Sequence, residues 1–141
     1  MKPIHFFAGI AFAMFTFFSC EAQTKSNPES VASASDKVEA YYFHFSSRCV
    51  TCKKVEAEAK NNIETIYPEL FKAGKLSFEA LNLDEADAKA RAEKLGVNGQ
   101  TLLLVKGDKK INITNEGFMY AKTNPEKFKE IMKAKLDELL K

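Results

Sequence analysis

The chain has 141 residues, 45% hydrophobic and 28% charged, which is enough for one domain with a sizeable core and too few for two. Its 21 basic and 19 acidic residues nearly balance, so it carries no electrostatic footprint for an acidic membrane face, and no nucleic-acid partner is expected. The lysines recur beside glutamates at helical spacing and read as a solvated surface.

Residues 1–19 read as a signal peptide. Lys2 supplies a minimal positive start, Ile4 to Phe18 is phenylalanine-rich and almost wholly apolar, and Ser19-Cys20 ends the run. That run is short for a membrane-spanning helix and has the length of a signal-peptide core. A small residue directly before cysteine, at the end of such a core, resembles a bacterial lipoprotein signal. The resemblance implies cleavage before Cys20 and a lipid anchor on its thiol, with the protein held on the periplasmic side of the cell envelope. Ordinary cleavage after Ala22 is the alternative. Three cysteines in an exported chain leave one without a partner, and acylation of Cys20 leaves Cys49 and Cys52 as a pair. Residues 20–37 are rich in Ser, Ala, Asn, Pro, Thr and Gln; they cannot bury enough apolar surface to offset their ordering entropy and read as a flexible tether.

Residues 38–141 carry the folded domain. Val38 to Ser46 predicts a buried strand, short, aromatic and apolar on both faces. Thr51 to about Ala73 predicts a helix with Cys52, Val55, Ala59, Ile63, Ile66, Tyr67, Leu70 and Phe71 on one stripe. Pro68 should kink or restart it near Tyr67, and Gly74 should end it. Lys75 to Leu83 predicts a second strand, followed by a helix over Glu85 to Leu95 with Asp84 as its N-cap and Gly96 as its stop. Thr101 to Val105 and Lys110 to Thr114 read as a hairpin around Lys106-Gly107-Asp108-Lys109. Asn124-Pro125-Glu126 opens a last helix with Phe128, Ile131, Met132, Leu136 and Leu139 on its apolar face. The order β-α-β-α-β-β-α predicts an α/β fold: a central mixed sheet, helices on both faces, strands joined through helices parallel, and an antiparallel edge from the late hairpin.

The chemistry centres on Cys49-Val50-Thr51-Cys52. At a strand-to-helix junction the first sulfur sits at the helix N-terminus, where unpaired N–H groups and the helix dipole stabilise a thiolate. Cys52 lies one turn in, close enough to close a small disulfide ring. So small a ring constrains the unfolded chain little, which favours a redox pair over a structural bridge. Cys49 is then the nucleophile and Cys52 the resolving thiol, with Arg48 adding positive charge beside Cys49. Soft-metal binding or delivery through the same two thiolates is the alternative; zinc would need further ligands, and haem attachment would need a histidine where Lys53 stands. His44 reads as a hydrogen-bonded core histidine, with a proton-transfer role as the alternative. No flavin, nicotinamide or phosphate-binding fingerprint is found, and no cofactor is expected.

Element order and motif together resemble the thioredoxin fold across residues 38–141. More narrowly, Tyr42-Phe43-His44-Phe45, Cys49-x-x-Cys52-Lys53, Gly99-Gln100-Thr101-Leu102-Leu103 and Asn115-Glu116-Gly117-Phe118-Met119-Tyr120 are similar to an exported thioredoxin-like family labelled nitrophenyl compound nitroreductase subunit (ArsF family). The resemblance implies a thiol–disulfide oxidoreductase or electron relay, or a non-enzymatic redox subunit of a larger reductase. Its partner would be a protein disulfide or dithiol, or a membrane electron donor, and the chain would act as a monomer. Against the thioredoxin pattern, Arg48 replaces a tryptophan, Phe43 a buried aspartate that accepts protons, and Gln100 the cis-proline beside the disulfide. Gln100 and Thr101 are therefore candidate supporting residues. Gly99-Gln100 is expected to be trans, with the Gln100 amide free to bond an incoming backbone.

Overall fold

The structure is a computed structural model and describes residues 36–141. The leader, Cys20 and nearly all of the 20–37 segment lie outside the described residues.

Nine elements follow Lys37: β1 (Val38–His44), α1 (Val50–Ile66), α2 (Pro68–Lys72), β2 (Leu76–Asn82), α3 (Ala86–Leu95), β3 (Thr101–Lys106), β4 (Lys109–Asn112), α4 (Thr114–Tyr120) and α5 (Pro125–Leu140). They build a four-stranded mixed sheet in the order β2-β1-β3-β4, an α/β arrangement. Val38, Ala40, Tyr41, Tyr42 and Phe43 are all buried, as a central strand covered on both faces requires. Side-chain alternation splits them. Ala40 and Tyr42 join Leu102, Leu104 and the apolar faces of α1 and α5 in the larger core, whereas Tyr41 and Phe43 join Leu103, Val105, Ala92 and Val97 on the α3 face.

The expected direction of β3 is corrected. β1 and β2 are parallel, in register from Val38↔Leu76 to His44↔Asn82, but β3 runs antiparallel to β1, with Phe43 opposite Thr101 and Glu39 opposite Val105. The helix α3 and its following loop return the chain to the end of the sheet it left, instead of crossing to the other end. The start of β3 thereby lands beside the carboxyl end of β1. That placement brings the 98–101 loop to the segment that carries the cysteines.

Several boundaries also differ. β1 stops at His44, because pairing with β2 ends there and Ser46 N–H turns to the Asp84 carboxylate, 2.8 Å away. Asp84 is thus a cross-loop acceptor and not the cap of α3, whose N-cap is Glu85 without a side-chain bond. The break at Pro68 takes the form of a restart: Tyr67 leaves helical geometry and α2 begins with the proline at its first position. Gly96 ends α3 at φ 74°, the left-handed geometry that a residue with a Cβ resists. Thr114, expected to close a strand, opens the unforeseen helix α4; its Oγ1 accepts from Leu102 N–H at 2.8 Å, and its N–H is capped by Asn112 Oδ1 at 3.0 Å. Gly117 lets α4 approach α1, since a Cβ there would stand 3.0 Å from Val55 Cγ1. Asn124 caps α5 as expected, its Oδ1 accepting from Lys127 N–H at 3.1 Å.

Candidate functional site

Cys49 and Cys52 form a disulfide with Cα atoms 5.2 Å apart. Cys49 is the N-cap of α1, with extended backbone (φ −74°, ψ 166°), and its Sγ accepts from Cys52 N–H at 3.2 Å. The first turn of α1 holds no acidic side chain to offset the positive end of the helix. The two sulfurs differ in access: Cys49 is exposed, whereas Cys52 retains 7% of its surface on the buried stripe with Val55 and Ala59. Val50, between them, is 75% exposed and leaves the approach to Cys49 open.

Gln100 faces this pair from the opposite side. The described peptide bonds are all trans, Gly99–Gln100 included. Its Oε1 stands 3.9 Å from Cys52 Sγ, and its Nε2 donates to the Tyr42 hydroxyl at 2.5 Å. Tyr42 Oη in turn donates to the backbone carbonyl of Cys52 at 3.1 Å. The Gln100 side chain is therefore turned inward, which corrects the expectation of an amide free for an incoming backbone. Burial holds the Tyr42 phenol above its ordinary pKa, so it remains the neutral hydrogen-bond donor; the Gln100 bond and nearby Arg48 pull the other way, and Glu56 adds to the rise.

Arg48 does not present a free charge to Cys49. Its Nη1 donates to Glu56 Oε2, and both side chains are about a quarter exposed. Thr101 is buried, but strand alternation puts its side chain on the α3 face, away from the sulfurs; Oγ1 donates to Gly99 O at 3.0 Å and braces the loop. His44 is half-buried, with Nδ1 3.0 Å from the Phe45 carbonyl. On the α3 side of this end, the 43%-exposed Phe45 borders a groove with Leu83, Lys89, Ala92, Glu93, Val97 and Asn98.

Sequence reasoning missed Tyr42 and Glu56. A tyrosine within a strand that reads as buried on both faces was the available signal for the first, because such a hydroxyl needs a partner. For the second it was the i, i+4 spacing from Cys52. Among the described residues no group of three or more His, Cys, Asp or Glu side chains is placed to hold a metal ion, and no helix is long and apolar enough to cross a membrane.

The fold and site define an α/β chain with a Cys-x-x-Cys disulfide at the helix end that follows its central strand. No protein-family model matches the chain, and no curated protein matches it.

Proposed function

We propose that this chain is an exported, lipid-anchored, thioredoxin-like protein that exchanges its Cys49–Cys52 disulfide with a partner protein. The observation that carries the reading is the contrast across one helical turn: an exposed sulfur capping the helix and a buried sulfur behind it. An inert bridge has no need of that contrast, whereas thiol–disulfide exchange uses both halves of it.

In the reduced chain, the Cys49 thiolate attacks one sulfur of a partner disulfide. A bond forms between Cys49 and that sulfur, and the partner's second sulfur leaves as a thiolate that takes up a proton. Cys52 then gives its proton to solvent and attacks Cys49 Sγ. The Cys49–Cys52 bond forms, and the partner's first sulfur leaves as the second thiolate. From the Cys49 thiolate, the partner gains two electrons and one proton, leaving as a thiol and a thiolate, and the chain loses them. Run backwards, the same steps oxidise a partner dithiol. An electron-relay role, in which a membrane donor re-reduces the pair on behalf of a larger reductase, uses the same chemistry. The mixed sheet, with the cysteine pair at the carboxyl end of its central strand, supports the thioredoxin-like reading; export and the anchor at Cys20 rest on the sequence pattern of residues 1–22.

Cys52→Ser leaves a nucleophile that cannot be resolved. Expressed in cells, it should accumulate a reducible mixed disulfide through Cys49 with a defined partner, and Cys49→Ser should not. Equal trapping by both variants, or by neither, would contradict the proposal.

A further inference from the structure

We propose that Tyr42 and Gln100 form a positioning pair that holds a carbonyl acceptor against the resolving sulfur and keeps Cys52 in its thiol form. The inference rests on the exchange reading for its consequence, though not for its geometry.

Tyr42 lies at the centre of the larger core with no solvent exposure, and its hydroxyl has one proton to give. That proton goes to the Cys52 backbone carbonyl at 3.1 Å. The phenolic oxygen can then only accept from Gln100, and Nε2 meets it at 2.5 Å. An amide whose NH₂ end is held in this way must turn its carbonyl the opposite way, and Oε1 stands 3.9 Å from Cys52 Sγ. The orientation of the Gln100 side chain is thus dictated from the core by a phenol bonded to the very residue it faces. A proline at position 100 has no such group to offer, and Phe43, the next residue along β1, points to the other face of the sheet.

In the disulfide the Cys52 sulfur carries no hydrogen, and the contact with Oε1 contributes nothing. Reduction adds the S–H, which gains an acceptor within sulfur reach. A thiolate at the same place would face the negative end of the carbonyl dipole. The ionisable groups nearest it in the chain and on the packed elements are Cys49, Arg48, Lys53 and Glu56 on the α1 side and Tyr42 and His44 on β1; α4, packed on α1, carries Glu116 and Tyr120, and residues 98–105 supply none. Arg48 and Glu56 largely cancel each other, leaving the amide as the oriented polar group against this sulfur. During resolution Cys52 must shed its proton before it attacks Cys49, so the pair slows the second step of exchange and lengthens the life of the mixed disulfide.

The test is the pH dependence of iodoacetamide labelling at Cys52 in the reduced full-length chain, read peptide by peptide by mass spectrometry. The rate plateau at high pH reports access to the sulfur, and the midpoint reports its proton affinity. Gln100→Met keeps the bulk and removes the acceptor; at a pH below the midpoint it should raise the thiolate population of Cys52 about three- to tenfold, the worth of one hydrogen bond. Tyr42→Phe, which frees the amide to turn, should move the midpoint the same way, and Gln100→Glu should move it the opposite way. A midpoint unchanged or raised in Gln100→Met would overturn the pair, since the amide would then either miss the sulfur or offer it the NH₂ end. Should Tyr42→Phe fail to fold, the two substitutions at the half-buried Gln100 decide alone. Exchange of the wild-type chain with oxidised glutathione, followed in parallel, separates the two claims: no exchange with ordered midpoints sinks the proposed function, and normal exchange with unmoved midpoints sinks the pair.

Discussion

Arg48, in the loop before α1, is bound to Glu56, in the second turn of that helix, by an ion pair that spans the two cysteines in sequence. The cation beside Cys49 therefore arrives already matched by an anion. The thiolate at Cys49 must draw its main support from the helix N-terminus and the Cys52 N–H.

Glu56→Gln should release that cation. Labelling of reduced Cys49 at neutral pH should quicken by roughly two- to fivefold, as loss of a partly exposed ion-pair partner warrants. Arg48→Ala should slow it, and high salt should shrink both effects. Peptide-resolved alkylation checks this; a faster rate in Arg48→Ala would show that Arg48 screens access to the sulfur instead of stabilising its thiolate.

Gly117 permits the close passage of α4 over Val55. Alanine in place of a helical glycine stabilises by about 1 kcal/mol, but crowding a packed contact costs about 1–3 kcal/mol. Gly117→Ala should therefore lower stability by up to roughly 2 kcal/mol in denaturant unfolding. In a Val55→Ala background, where the clash is relieved, the same substitution should become stabilising. An unchanged sign in the two backgrounds would mean that the contact does not decide the effect.

Asp84 ties the loop after β1 to the end of β2. Its carboxyl is held below the ordinary value chiefly by the hydrogen bonds from Ser46, with Lys89 and His44 adding smaller contributions. A depressed pKa means that this contribution to stability is present above the unfolded carboxyl's pKa and is lost as pH falls through the folded one. Wild type should therefore lose more stability than Asp84→Asn on acidification from about pH 5 to pH 2. Parallel acid titrations of the thermal midpoint measure it; equal losses would remove Asp84 from the account.

Much of the scaffold was legible because its signals are local. The aromatic run at Val38–His44, the apolar stripe from Cys52 to Ile63, Gly96 at the end of α3 and the Asn124-Pro125 start of α5 each carry their own instruction. The direction of β3 was not legible. The rule for strands joined by a helix assumes that the helix crosses the sheet, and nothing in residues 83–100 says whether it does. α4 was missed because Thr114, Asn115 and Gly117 are poor helix formers; the helix is held by the bond from Thr114 N–H to the Asn112 side chain and by its close approach to Val55. At the site, the spacing of Cys49 and Cys52 could be read directly, whereas Gln100 entered only through the family resemblance of its loop. The role of Tyr42 could not be read, since it depends on which face of β1 meets α1, and that follows only from the sheet register.

The central claim is that the Cys49–Cys52 disulfide is a working redox couple. Its reduction potential, from equilibration with glutathione or dithiothreitol buffers and mass-spectrometric counting of the two thiols, tests that most directly. A working couple titrates reversibly with two electrons at a potential between about −270 and −120 mV, the span of proteins that exchange disulfides. A potential below about −300 mV, where structural disulfides lie, or a failure to equilibrate with either buffer would contradict it.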